Sequence, residues 1–201
     1  MRFLAVRLVS VVAVVGLVSC QPDYANLPTF SKERNLLQAV IEVPAGTNHE
    51  RQYDPASKEF RNRQRAGTDR LVEFLPYPGN YGFIPGTYTT PSPEFPAGRP
   101  LPILILAESE PSGTLVEVLP IGMVVLEEAG VLEKIIVAVP ARPSQQILPG
   151  AISWVSLMQH YPAVQESLRL WFLHRSQADV VHIVGWKDEQ AAERQVRASM
   201  Q

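Results

Sequence analysis

The chain has a single thiol, Cys20. A lone cysteine closes no intramolecular disulfide and builds no thiolate metal cluster. The four histidines, His49, His160, His174 and His182, have no ligand-like spacing and read as surface or core residues. There is no glycine-rich phosphate loop, no G-x-S-x-G elbow and no H-E-x-x-H pair. The distinctive stretch is Tyr77-Pro78-Gly79-Asn80-Tyr81-Gly82-Phe83-Ile84-Pro85-Gly86-Thr87, two phenols four residues apart in a frame of prolines and glycines. Taken alone, it would serve equally well as a turn with core packing.

The 201 residues that must position these groups leave room for one domain, or one domain and an extension, and exclude a large multidomain enzyme. With 46% apolar and 19% charged residues the chain buries a core. Its 18 Lys+Arg against 20 Asp+Glu give no call for nucleic acid. Eighteen prolines argue against an all-helical bundle and for short strands joined by stiff turns.

Residues 1–19 belong to another physical class. Arg2 and Arg7 are their only charges, and Leu8 to Val18 is almost entirely apolar, too short for a membrane span of about 20 residues. This is a secretory signal. Leu17-Val18-Ser19-Cys20, followed by Gln21-Pro22, resembles a bacterial lipoprotein cleavage box. Cys20 is therefore the expected lipidation site, its thiol taking the diacylglyceryl group, with the protein exported and anchored in a membrane on the periplasmic or outer-membrane side. Removing the signal leaves 16 basic against 20 acidic residues, a net charge of −4.

Residues 20–35 are polar with two prolines and read as a tether, with a globular domain over 36–201. Gln38 to Val43, Leu101 to Ala107, Thr114 to Leu126 and Glu133 to Val139 are β-prone, separated by turn signals such as Pro111-Ser112-Gly113. Strands in succession without βαβ alternation suggest a small barrel. After Pro149 the period turns helical, with Pro162 at a first-turn position and Val164, Leu168, Trp171 and Phe172 on one face. A last strand from Val180 to Trp186 leads into a polar C-terminal helix from Asp188.

The Tyr77–Thr87 stretch resembles the signature of the soluble, family I inorganic pyrophosphatases. The similarity extends to Ile41-Glu42-Val43-Pro44 as the opening strand, Asp69-Arg70 as the Asp-Arg pair, Lys134 to Pro140 as the later core strand, and Val184-Gly185-Trp186 before an acidic, alanine-rich helix. The resemblance implies a mainly β (α+β) fold, a five-stranded OB-like β-barrel flanked by two or three α-helices. It also implies Mg²⁺-dependent hydrolysis of diphosphate to two phosphates, and bacterial members are often homo-oligomers. By matched position it makes Glu42 and Tyr77 catalytic, and Arg51, Arg70, Tyr81 and Lys134 substrate-binding.

Divalent metals neutralise the diphosphate oxygens and activate water, so the family devotes carboxylates to them, typically D-G-D-x-x-D before an apolar strand. Here that stretch reads Ala97-Gly98-Arg99-Pro100-Leu101-Pro102, with all three aspartates replaced. Of a second acidic pair, Glu127 and Glu133 are the nearest survivors; Glu94 and Glu108 are the other acids a relocated metal site would draw on. Two readings stand: a working Mg²⁺ enzyme with relocated acids, or an exported pseudoenzyme. In the second, Arg51, Arg70, Arg99, Lys134 and Arg175 converge on a phosphate-like anion without metal, Arg99 supplying charge in the middle aspartate's place. A structural lipoprotein with a dead pocket is the further alternative.

Overall fold

The computed structural model describes residues 22–93, 95–176 and 180–200. Ten strands and three α-helices follow in order: β1 (Leu37–Val43), β2 (Arg51–Asp54), β3 (Glu59–Asn62), β4 (Gln64–Arg65), β5 (Thr68–Asp69), β6 (Asn80–Ile84), β7 (Leu101–Ile105), β8 (Leu115–Glu128), β9 (Val131–Pro140), α1 (Trp154–His160), α2 (Pro162–His174), β10 (Val181–Asp188) and α3 (Glu189–Ser199). Five of the strands close into a ring in the order β1-β6-β7-β9-β8, with β8 returning to β1. Only β7 and β9 run parallel. The long β8 makes closure possible. Its first residues pair with β1 from Val40↔Leu115 to Leu37↔Val118, it bends at an irregularity between Pro120 and Gly122, and its remainder pairs with β10. This is the closed OB-like arrangement expected from the sequence.

Period-two alternation divides the side chains between two cores. Ala39, Ile41, Ile84, Leu101, Ile103, Ile105, Met123, Val125, Ile136 and Ala138 fill the ring, and Ala192 and Val196 of α3 close it. The opposite parity, Tyr81, Leu104, Val124, Leu126, Ile135 and Val137, faces outward onto Leu157 of α1 and Leu168, Trp171 and Phe172 of α2. Helix α1 starts at a reciprocal cap between Ser153 and Ser156, α2 has Pro162 in its first turn, and α3 is capped by Asp188 accepting from the Ala191 N–H.

The tether reading is corrected from Pro22 onward. Tyr24 packs edge-on against Tyr53 and Phe60 at centroid distances of 5.3 and 5.2 Å, the Thr29 hydroxyl donates to the Pro85 carbonyl at 2.9 Å, and Phe30 bridges Leu37. The segment looked polar by composition, but its few apolar residues are spaced to land on the barrel wall. Cys20 and Glu94 lie outside the described residues. No helix among the described residues is long and apolar enough to cross a membrane.

Candidate functional site

The signature stretch does its first work as architecture. Gly82 faces Ile41 across the β1–β6 pairing, and a Cβ there would meet the Val40 carbonyl oxygen at 1.9 Å. Asn80 is fully buried; its Oδ1 accepts from the N–H groups of Ala45 (3.0 Å) and Glu110 (2.9 Å), while Nδ2 donates to the Glu108 carbonyl (2.7 Å). One amide thus satisfies three backbone groups from two loops, in a setting where each unpaired group costs about 1–3 kcal/mol. The two phenols turn to the outer face, their rings 5.6 Å apart, and Tyr77 packs on Trp171 at 4.9 Å.

Tyr77, Tyr81 and Glu42 come together but are only 8, 7 and 9% exposed. Burial pushes the Tyr81 phenol up to about 12, with the Glu133 charge adding, and raises Tyr77 well above its ordinary value, with Glu50 adding. Neither phenol ionises near neutral pH. The Glu42 carboxylate accepts from the Tyr53 N–H at 2.7 Å. Its burial lifts the pKa from 4.5 to about 7, against the opposing pull of that hydrogen bond and of Arg99 and Arg63. The folded protein therefore holds a proton that the unfolded chain releases above about 4.5. This contribution to stability is whole below pH 4.5 and falls as pH rises through 7, by roughly 3 kcal/mol in all. Glu42→Gln is expected to flatten that slope and to be the more stable form at pH 8, as read from urea midpoints at pH 5 and pH 8.

Above these residues lies a chain of alternating charges. Glu50 holds both Arg63 and Arg70 at 3.2 Å. Phe95 lies under the guanidinium groups of both Arg63 (5.0 Å) and Arg99 (4.3 Å). Arg99 is paired with Glu133, whose other oxygen is 2.8 Å from Arg175, and Arg175 reaches Glu128 at 2.9 Å. All four of these last side chains are less than 20% exposed. Burial pulls the Arg99 guanidinium down, but the adjacent Glu133 charge leads the contributions that more than offset it, so its proton is held more tightly than usual.

The site residues read from the sequence divide into two sets. Glu42, Arg70, Tyr77, Tyr81, Arg99, Glu133 and Arg175 gather here. Arg51 does not join them: it donates to the Ser112 hydroxyl at 2.8 Å and to the Phe60 carbonyl at 3.3 Å, beside the docked N-terminal segment. Lys134 lies on the parity of Ile136 and Ala138 and donates to Gln195 of α3 at 2.7 Å. Glu127, paired in register with His182, is exposed on the parity of Val125. Glu108 lines a separate polar cleft of about 550 Å³. The sequence reading missed Glu50, Arg63, Phe95 and Glu128. Arg61-Asn62-Arg63-Gln64-Arg65, with its alternating cations, was the available signal for Arg63.

A magnesium ion asks for several oxygen anions converging on one point. The pocket instead commits Glu133 to two guanidinium groups, Glu128 to one and Glu50 to two. Among the described residues no three His, Cys, Asp or Glu side chains gather as a cation site. Among the described residues the donor set does not fit the family's metal.

A closed five-stranded ring carrying an outer-face site under two flanking helices defines the fold class. The inorganic pyrophosphatase family model matches residues 39–201, and the chain belongs to that family. It is 28% identical over 184 residues to the inorganic pyrophosphatase of Thermus thermophilus, covering 86% of this chain and 93% of that one. A Synechocystis inorganic pyrophosphatase is 28% identical over 173 residues, covering 84% and 92%. The crystal structure of the Thermus thermophilus enzyme superposes with a TM-score of 0.74 at 26% identity, over 89% of this chain and 97% of that one. A Toxoplasma gondii type I pyrophosphatase, 20% identical with a TM-score of 0.75 over 88% and 84%, shares the fold.

Proposed function

We propose that this chain is an exported, lipid-anchored member of the inorganic pyrophosphatase family in which metal-dependent hydrolysis is weak or lost, and whose cationic pocket holds a phosphate-type anion without metal. The observation that carries this reading is the Arg99–Glu133–Arg175–Glu128 chain, built where the family would gather metal-holding acids. It spends the remaining carboxylates on arginine and covers the phenols and Glu42 below. Arg99 is not an open charge, because Glu133 shares it; an anion is attracted by the surplus of cations around it rather than by Arg99 alone.

Phosphate release from diphosphate with Mg²⁺ or Mn²⁺ is expected to stay at the level of a denatured control. Calorimetry is expected to find no tight Mg²⁺ site, while phosphate binding persists in EDTA and weakens in high salt. The comparison variant carries Ala97→Asp, Arg99→Asp and Pro102→Asp together. Robust turnover by the unmodified chain, lost on Glu127→Ala or Glu133→Ala, would overturn the reading in favour of relocated metal ligands.

The anchor is tested separately. Cys20→Ser is expected to abolish lipid labelling and release the protein from the membrane fraction; an unlipidated, cytoplasmic wild-type chain contradicts the export reading.

A further inference from the structure

The N-terminal segment is spaced to lie on a hairpin. Tyr24, Leu27 and Phe30 recur every third residue, and Tyr53 of β2 and Phe60 of β3, which receive Tyr24, face each other in the hairpin register. The β2–β3 hairpin shares no ladder with the six-stranded sheet. Side chains hold it from both sides instead. Toward the ring, the Tyr53 N–H donates to Glu42 at 2.7 Å, the Tyr53 ring stacks on Phe83 at 6.1 Å, and Arg51 donates to the Ser112 hydroxyl, which itself donates to the Glu42 carbonyl at 2.7 Å. Toward the N-terminal segment, Tyr24 covers both aromatic rings, its N–H donates to the Tyr53 hydroxyl at 3.3 Å, and that hydroxyl donates to the Pro22 carbonyl at 3.4 Å.

The open end of the hairpin runs into the rim of the charged pocket. Arg51 and Asn62 are its last paired residues, so Glu50 and Arg63 lie just outside it. The Arg63 N–H donates to the Glu50 carbonyl at 2.8 Å, the Glu50 N–H to the Arg70 carbonyl at 3.0 Å, and the Arg70 N–H to the Arg63 carbonyl at 2.8 Å. This closed triangle of backbone is repeated by the side chains, with the Glu50 carboxylate 3.2 Å from both guanidinium groups. Arg63 and Arg70 line the cavity of about 780 Å³ over the charged chain, and Phe95 joins Arg63 to Arg99. The position of the hairpin therefore sets the position of this rim.

The front of the N-terminal segment is its weakly held part. The bonds made by Pro22, Tyr24 and Ala25 to the rest of the domain measure 3.3 to 3.4 Å, whereas Thr29 is fixed at 2.9 Å to both the Pro85 carbonyl and the Gln38 N–H. An ordinary N–H···O bond is about 2.9–3.0 Å long. At the same seam Asp23 Oδ1 and Arg51 Nε are buried without a protein hydrogen-bond partner, a cost that docking bears and lifting relieves. We infer that residues 22–26 form a strap, hinged near Thr29, that clamps the β2–β3 hairpin and through it sets the rim of the pocket. Docked, the strap holds the Glu50–Arg63–Arg70 triangle in place; lifted, it lets hairpin and triangle move as one. Tyr24 is the positioning residue, because its ring rests on both strands of the hairpin. Whatever engages the chain ahead of Pro22 then acts on the pocket without touching it.

The test is residue-resolved amide hydrogen exchange, read by NMR, on the intact mature chain and on Tyr24→Ala and Tyr24→Phe. In the parent, the strap reporters, the N–H groups of Asn26 and Gly86, and the rim reporters, those of Tyr53, Arg63 and Arg70, are expected to open as one unit, about tenfold or more faster than the ladder amides of β7 and β9. Tyr24→Ala should speed strap and rim by the same factor, about tenfold for the loss of two aromatic contacts. Tyr24→Phe keeps the ring and should exchange at parental rates. Faster exchange in the strap with parental rates at the rim overturns the coupling, and so do parental rates in both. Rim amides that exchange only at the rate of the ring strands would show that they open with the whole domain, which also defeats the proposal. A Tyr24→Phe variant as fast as Tyr24→Ala would take the effect away from the ring contacts and overturn the role given to Tyr24.

Discussion

Gly82→Ala leaves little or no folded protein. The physical reason is the closing seam of the ring: β6 lies so near β1 that an added methyl carbon would sit 1.9 Å from the Val40 carbonyl oxygen and 2.9 Å from its carbon. Those are backbone atoms held by the ladder on both sides, so no flexible side chain can move aside. Relief requires separating β1 from β6, and the loss expected is at least about 4 kcal/mol, a large part of a domain's stability. Gly185→Ala is the control, since nothing lies within 4 Å of a Cβ at that position in β10; it should stay within about 0.5 kcal/mol of the parent. Soluble yield and urea midpoints of the two variants check the claim. A Gly82→Ala protein that unfolds at the parental midpoint would show that the seam is looser than described.

The same glycine explains what could and could not be read in the sequence. Strand β7 and the central stretches of β8 and β9, residues 121–126 and 135–139, are buried along almost their whole length because they are covered on both faces, and these strands were legible with nearly their final bounds. Strand β6 was hidden: Asn80 and Gly82 look like turn residues, yet one bridges two loops by hydrogen bonds and the other permits a close backbone approach. The signature's persistence beside a replaced acid cluster then has a physical basis. Gly82 and Asn80 hold the ring together whether or not any metal is bound. The β2–β3 and β4–β5 hairpins were missed because they are short, polar and mostly outside the core.

The sequence reading named Glu127, Glu133 and Lys134 in this region; the structure brings Glu133 into the charged chain with Glu128, which was not named, and leaves Glu127 and Lys134 out of it. Along a strand a slip of one residue turns a side chain to the opposite face. The core parity decides it: Glu133 shares the face of Ile135 and Val137, and Lys134 that of Ile136 and Ala138. Only the structure shows this register, and it also shows that Arg99, expected as an open anion contact, is already paired.

Glu133→Ala destabilises the fold by about 3–5 kcal/mol, the cost of breaking a mostly buried ionic cluster from one side. Glu133 is the one carboxylate between two guanidinium groups, Arg99 and Arg175, each less than 20% exposed. Removing it leaves Glu128 on Arg175 alone and sets two poorly solvated cations near each other. Replacing the whole cluster by apolar and neutral side chains of similar size, Arg99→Met, Glu128→Gln, Glu133→Leu and Arg175→Met together, should cost much less than the single change, because no buried charge is then stranded. The single variant should also acquire a ligand. Phosphate can fill the space between the two arginines, so millimolar phosphate should raise the melting temperature of Glu133→Ala by several degrees more than that of the parent. Equal phosphate responses in the two proteins, or a quadruple variant less stable than Glu133→Ala, would show that the cluster is not the internally compensated unit described here.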